Sequence, residues 1–143
     1  RYKFEDWTTW TRVAQLYNAA KDGHLHVVKR LLRDGVVPDL KNIRGVTPLW
    51  RAASGGHAAV VKALLVTGTV NVNSQCVSGR TPLFCAAARG YAEIVQLLLD
   101  KGAHLHYEDI DGRTPISAAR EGGHANVIKI LTDSLTKDTL PGL

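Results

Sequence analysis

Apolar residues recur along this chain in short paired runs. Val27-Val28 is followed by Leu31-Leu32, Val60-Val61 by Leu64-Leu65, Ile94-Val95 by Leu97-Leu98-Leu99, and Val127-Ile128 by Ile130-Leu131. Spacing of this kind puts each run on one face of a helix and leaves the opposite face polar. Each run therefore predicts one short amphipathic helix. Ahead of each stands a segment rich in small residues, centred on Ala19-Ala20, Ala52-Ala53, Ala86-Ala87 and, in the last copy, Ala119-Arg120. Paired alanines let two helices approach closely, so the unit is a helix pair repeated four times.

The unit has a fixed period. Thr47-Pro48-Leu49-Trp50 recurs as Thr81-Pro82-Leu83-Phe84 and as Thr114-Pro115-Ile116-Ser117, and Ala14-Gln15-Leu16-Tyr17 is a worn first copy. The threonine suits an N-cap and the proline a first helical position, where a missing N–H costs nothing. The short first helix should end at Gly56, Gly90 or Gly123, where left-handed backbone is available. Ten residues into each copy stand His24, His57, Tyr91 and His124. The three histidines are expected to make the same structural hydrogen bond. Gly35, Gly68 and Gly102 close the second helices, and Val70-Asn71-Val72-Asn73 alternates as an extended hairpin arm does. Units of about 33 residues that bury too little alone must stack, which predicts an all-α solenoid with one continuous core. Leu64, Leu65, Leu97 and Leu98 belong to that core.

This pattern resembles the ankyrin repeat: a TPLH-type phrase, paired alanines, Gly-His, an apolar helix and a closing glycine turn. The resemblance covers residues 9–135, with units at 9–41, 42–75, 76–108 and 109–135, an N-terminal cap at 1–8 and a C-terminal tail at 136–143. The G-R-T-P-L-x-x-A-A form also resembles repeats in large fungal multidomain proteins. Membership implies a non-catalytic interaction module that binds a protein or peptide in a concave groove lined by hairpin tips and first helices. It implies no cofactor.

Helical spacing turns three sites of each first helix away from the core: Asn18, Lys21 and Asp22; Arg51, Ser54 and Gly55; Cys85, Ala88 and Arg89; Ala118, Glu121 and Gly122. Hairpin tips add Ile43, Arg44 and Val46, then Val77, Ser78 and Arg80, then Ile110, Asp111 and Arg113. Together these predict a basic line of Lys21, Arg44, Arg51, Arg80, Arg89 and Arg113, interrupted by Asp111 and Glu121. Arginine grips carboxylates in bidentate fashion and stacks on rings. Trp50 and Phe84, where the family usually has histidine, either pack between units or anchor a partner. The expected partner is an acidic, partly apolar protein surface. An anionic ligand (nucleic acid or acidic lipid), or a regulatory contact inside a larger protein, is the alternative.

Composition narrows the choices. The 143 residues carry a formal net charge of +5, enough for weak attraction to polyanions. Yet Lys29, Arg30, Arg33, Lys62 and Lys129 lie on second helices away from the groove, and no nucleic-acid-binding motif is present. Nucleic acid is therefore not the expected partner. No apolar stretch is long enough to span a membrane, and no secretory signal is visible. Cytoplasmic residence and a monomeric isolated domain are expected. The chain contains no Met and begins with Arg1, which suggests a piece of a longer protein. Cys76 and Cys85 are expected to be free thiols.

His104 and His106 share one side of an extended arm, but spacing supplies no third metal ligand. No nucleophile elbow, P-loop, zincin helix or paired-cysteine motif occurs, so no enzyme is expected. Glu108, Asp109 and Asp111 read as a solvated turn. The dense N-terminal aromatics Tyr2, Phe4, Trp7 and Trp10 are expected to cover the open end of the first unit, or else to bind a neighbouring segment. Polar Arg120, Thr132, Asp133 and Ser134 suit an exposed last face.

Overall fold

A computed structural model of the chain describes residues 4–139, and side chains from 10 to 137. It forms the helix pairs α1 (Phe4–Asp22) and α2 (Leu25–Arg33), α3 (Pro48–Gly55) and α4 (Ala58–Leu65), α5 (Pro82–Arg89) and α6 (Ala92–Asp100), α7 (Pro115–Gly122) and α8 (Ala125–Thr139). First helices stack α1 on α3 on α5 on α7, and second helices α2 on α4 on α6 on α8. The result is a two-layered solenoid whose core runs without a break from Leu16 to Leu131.

The phrase works locally as its chemistry requires. The hydroxyls of Thr47, Thr81 and Thr114 accept the backbone N–H of Trp50, Phe84 and Ser117, with proline at the helix start each time. In the last unit the Ser117 hydroxyl also accepts from the Thr114 N–H at 2.9 Å, closing a reciprocal cap. The alanine pairs are buried where α1, α3, α5 and α7 meet, as close helix approach demands.

The end helices are longer than the period implies. α1 crosses the expected cap boundary at residue 8 without interruption, and α8 continues past 135 to Thr139. Tyr2, the side chains of Phe4 and Trp7, and residues 140–143 lie outside the described residues. Of the four N-terminal aromatics only Trp10 is described, and it is exposed. Arg120, Thr132 and Asp133 are exposed on the last face, and Ser134 partly so.

The arms differ from the expected extended hairpin. Among the described residues no strand forms; turns, bends and irregular backbone occupy 66–80. Side-chain oxygens replace a ladder. Asp39 Oδ2 accepts the Asn71 N–H at 2.9 Å, and Asn73 Oδ1 accepts the His104 N–H at 2.8 Å one unit later. Such Asn and Asp bonds offer the backbone an alternative to a sheet.

The ring ten residues into each copy has a second duty. His57 Nε2 bonds the Lys21 carbonyl at 3.0 Å, and His124 Nε2 bonds the Ala88 carbonyl at 2.9 Å. Each ring thereby lies over the glycine ending the previous first helix. Tyr91 covers Gly56 in the same way, whereas His24 is exposed.

Gly90 has φ +81°, and a Cβ there would come within 2.5 Å of His124 Nδ1; Gly123 has φ +71° with open space around it. Gly123→Ala should therefore cost only the left-handed backbone, about 1 kcal/mol. Gly90→Ala should cost about 2 kcal/mol, because the His124 ring and its bond must also shift. Paired urea titrations measure the difference. Equal losses would show that the ring does not press on that site.

Candidate partner-binding groove

The expected groove positions separate into two electrostatic halves. Along the N-terminal half, and at Arg89 on α5, among the described residues, no carboxylate lies within ion-pair distance of Lys21, Arg44, Arg51 or Arg89. Lys21, Arg44 and Arg89 are exposed. Arg51 is half-buried, donates from Nε to the Tyr17 hydroxyl at 2.8 Å, and lies 5.6 Å from the ring centroids of both Tyr17 and Trp50. Asn42 donates to the same hydroxyl at 2.9 Å. Trp50 Nε1 donates to the Arg80 carbonyl at 3.1 Å. Its ring is thus fixed in place yet only partly covered. Beside Tyr17, a hollow of about 220 Å³ is lined by Trp10, Val13, Leu40 and Lys41 among others.

The C-terminal half neutralises itself. Asp109 is buried, and its Oδ2 lies 3.5 Å from Arg80 Nε and 3.3 Å from Arg113 Nε. Arg113 also pairs with Glu121 at 3.3 Å and Asp111 at 3.8 Å. Phe84 is only 3 % exposed, with the guanidiniums of Arg80 and Arg113 over its ring at 5.1 and 5.9 Å. Phe84 is therefore not an exposed anchor but the floor beneath two arginines. Cys85, expected to face outward, is buried as well. Burial pushes its thiol up to about 12, reinforced by nearby Cys76 and opposed by Arg80, Arg89 and Arg51. Ala118, the same register position one unit on, is also buried. Small side chains there fall below the surface that Asn18 and Arg51 reach in the earlier units.

Asp109 is not part of the solvated turn that the sequence implies but a buried brace. Its Oδ1 accepts the backbone N–H of Asp111 at 3.0 Å and of Arg113 at 2.9 Å. Asn42 does the same for Arg44 at 2.9 Å and Val46 at 3.0 Å. Cys76 holds that slot in the unit between, with its Sγ 3.0 Å from the Ser78 hydroxyl. Burial alone would raise the Cys76 thiol. The Ser78 hydroxyl, the N–H groups of Ser78 and Arg80, and the Arg80 charge outweigh it and lower the thiol. Both cysteines are free.

The tips are held rigidly to one another. Val77 N donates to the Arg44 carbonyl, and Ile110 N to the Ser78 carbonyl, each at 2.9 Å. Three aliphatics stand at the same register point of successive tips: Ile43 is 97 % exposed, Val77 71 % and Ile110 74 %. Scattered exposed aliphatics are ordinary, but three in register form a line along the groove edge. His104 and His106 are exposed. Among the described residues no cluster of three or more His, Cys, Asp or Glu is placed to hold a metal ion. No described helix is long and apolar enough to cross a membrane.

Comparison with known proteins agrees with the architecture. A sequence model described as ankyrin repeats (three copies) matches residues 16–109, more than half of the chain. The α7–α8 pair lies wholly beyond that match but repeats the same threonine cap, proline start and left-handed glycine stop. No curated protein matches the chain. Ankyrin repeats are generally protein–protein interaction modules and typically non-catalytic. On the matched model and the repeated helix pairs, this chain belongs to the ankyrin-repeat family.

Proposed function

We propose that this array is a non-catalytic module that docks an acidic, partly apolar protein segment along the part of its groove lined by Lys21, Arg44, Arg51 and Arg89. The supporting observation is the uneven fate of the arginines. Arg80 and Arg113 already have carboxylates, whereas Arg44, Arg51, Arg89 and Lys21 have none among the described residues. Trp50, Ile43 and Val77 supply apolar surface alongside them. A rigid stack loses little freedom on binding, so fixed side chains of this kind recognise a partner at low entropic cost.

Arg44→Ala combined with Arg89→Ala removes two exposed charges that have no carboxylate partner among the described residues. An acid-rich peptide carrying leucine or phenylalanine should bind this variant about tenfold more weakly, with thermal unfolding unchanged. Arg80→Ala should have a smaller effect on affinity, since its guanidinium is already engaged. Unchanged affinity in the double variant would sink the reading. Salt separates it from a polyanion site: phosphate-backbone binding falls steeply with rising salt, whereas a groove with apolar contacts retains much of its affinity.

A further inference from the structure

The side formed by the second helices carries a feature that the groove does not use. The solvent face of α2 is made of His26, Lys29, Arg30 and Arg33, all exposed and spaced as one helical stripe. No acidic residue lies in the first turn of that helix. Like charges three and four apart repel and weaken a helix. The helix dipole accounts for Arg30 and Arg33 in the last turn but not for His26 and Lys29 nearer the start. Among the described residues, none of Lys29, Arg30 and Arg33 has a carboxylate at ion-pair distance, and Asp34 pairs with Arg12 instead.

Beside this stripe, α2 and α4 bound a furrow of about 610 Å³ lined by His26, Lys29, Leu32, Arg33, Ala63, Val66 and Thr67. Val66, at its lip, is 75 % exposed. Across Val66 a second furrow of about 340 Å³ continues between α4 and α6, reaching Leu65 and Leu97 and closed by the oppositely charged Asp100 and Lys101. Lys62, the charged residue on the exposed face of α4, pairs with Glu93 at 3.6 Å. The floor is thus apolar and the α2 wall is cationic.

We infer that this furrow between α2 and α4 is a second docking site, and that its occupant is an acidic amphipathic helix of a partner protein. A trough between two parallel ridges of side chains takes the ridge of a third helix. Leucine-like residues of that helix would fill the space above Leu32, Ala63 and Val66, and its Asp and Glu residues would meet Lys29, Arg30 and Arg33. A lipid surface fits less well. The apolar floor is recessed, only Val66 protrudes, and neither α2 nor α4 carries an aromatic residue to seat in a headgroup layer.

The test uses the 143-residue chain and a synthetic helical peptide of about 15 residues, near the shortest that holds helix alone. It bears leucine at helical spacing and glutamate on its flanks. Binding is followed by titration, alongside a peptide of identical composition with its leucine spacing scrambled and vesicles of mixed phosphatidylserine and phosphatidylcholine. The intact peptide should bind. Lys29→Glu with Arg33→Glu should weaken it at least about tenfold, and Val66→Asp should weaken it independently.

The titrations are repeated in the Arg44→Ala, Arg89→Ala background, which removes the groove's share: binding that persists there and is lost on adding Lys29→Glu and Arg33→Glu belongs to the α2–α4 furrow. The inference is overturned if no peptide binds, if the scrambled peptide binds equally, if vesicles bind while the peptide does not, or if the α2 double variant binds as tightly as the original. Circular dichroism of each variant confirms that the comparison is made between folded proteins.

Discussion

Leu98→Ala should lower the unfolding free energy by about 3–5 kcal/mol, while Leu97→Ala, one residue away, should cost only about 1 kcal/mol. The pattern of paired leucines treats the two alike, and both were expected in the core. The structure separates them: Leu98 is fully buried in the central core, whereas Leu97 is partly exposed and borders the furrow between α4 and α6. Truncating Leu98 removes transfer energy and leaves a cavity that neighbouring helices cannot close without moving.

The location makes the loss larger in effect than its size. Units of a solenoid are held by their neighbours, and α6 lies between α4 and α8. Weakening α6 should therefore uncouple the last pair from the first two, broadening the transition as well as shifting it. Total stability of roughly 5–15 kcal/mol leaves little margin for such a loss. Urea unfolding followed by circular dichroism measures both quantities. Equal losses at the two leucines would contradict the burial assigned to them.

Much of the fold was legible because it is written in backbone chemistry that repeats. Thr81 caps α5, Pro82 starts it and Gly90 stops it through contacts of at most a few residues. Local rules suffice for such features. Two of the three expected histidine bonds were legible for a related reason: a fixed register position meets the same carbonyl of the preceding unit, as His57 and His124 show, whereas His24 is exposed. The end helices were less so, because α1 and α8 extend beyond the period that reveals the others.

The groove was harder to read, since its electrostatics depend on which charges meet across units. Arg80 and Arg113 look like Arg44 in the sequence. What separates them is Asp109, which lies close to both guanidiniums. A signal was available. Asn42, Cys76 and Asp109 each stand five residues before the threonine of a phrase. Asparagine and aspartate there bond their own turn, and such residues favour that role. Cysteine in the middle copy hid the correspondence. Phe84 was ambiguous for the opposite reason. A ring in the phrase's fourth slot serves equally as partner anchor or as packing, and only the two guanidiniums above it decide for packing.

Asp109→Ala should destabilise the array by about 2–3 kcal/mol, and Asp109→Asn by distinctly less. The alanine variant leaves the N–H groups of Asp111 and Arg113 without their acceptor and removes the carboxylate between Arg80 and Arg113. Asparagine keeps the acceptor, as Asn42 does in the equivalent turn, and loses only the charge. Both arginines are partly exposed, so the ion pairs themselves contribute modestly and the turn accounts for most of the loss.

The same carboxylate sets a pH dependence. Burial alone would raise its pKa. The N–H bonds from Arg113 and Asp111, the Arg113 charge and the Arg80 bond outweigh that and hold it below the usual carboxylate value. A group depressed in the folded state stabilises fully above its unfolded pKa, about 3.9 for aspartate, and loses that contribution as pH falls through the folded value. Original and Asp109→Asn proteins should therefore differ in stability at neutral pH and converge in acid. Urea titrations from pH 7 down to the acid limit of folding measure the gap. If it stays constant, the Asp109 charge is not what joins Arg80 to Arg113. If it closes, an acidic partner should also find Arg80 newly available in the asparagine variant, while Arg113 keeps Glu121 and Asp111, and bind it more tightly than the original protein.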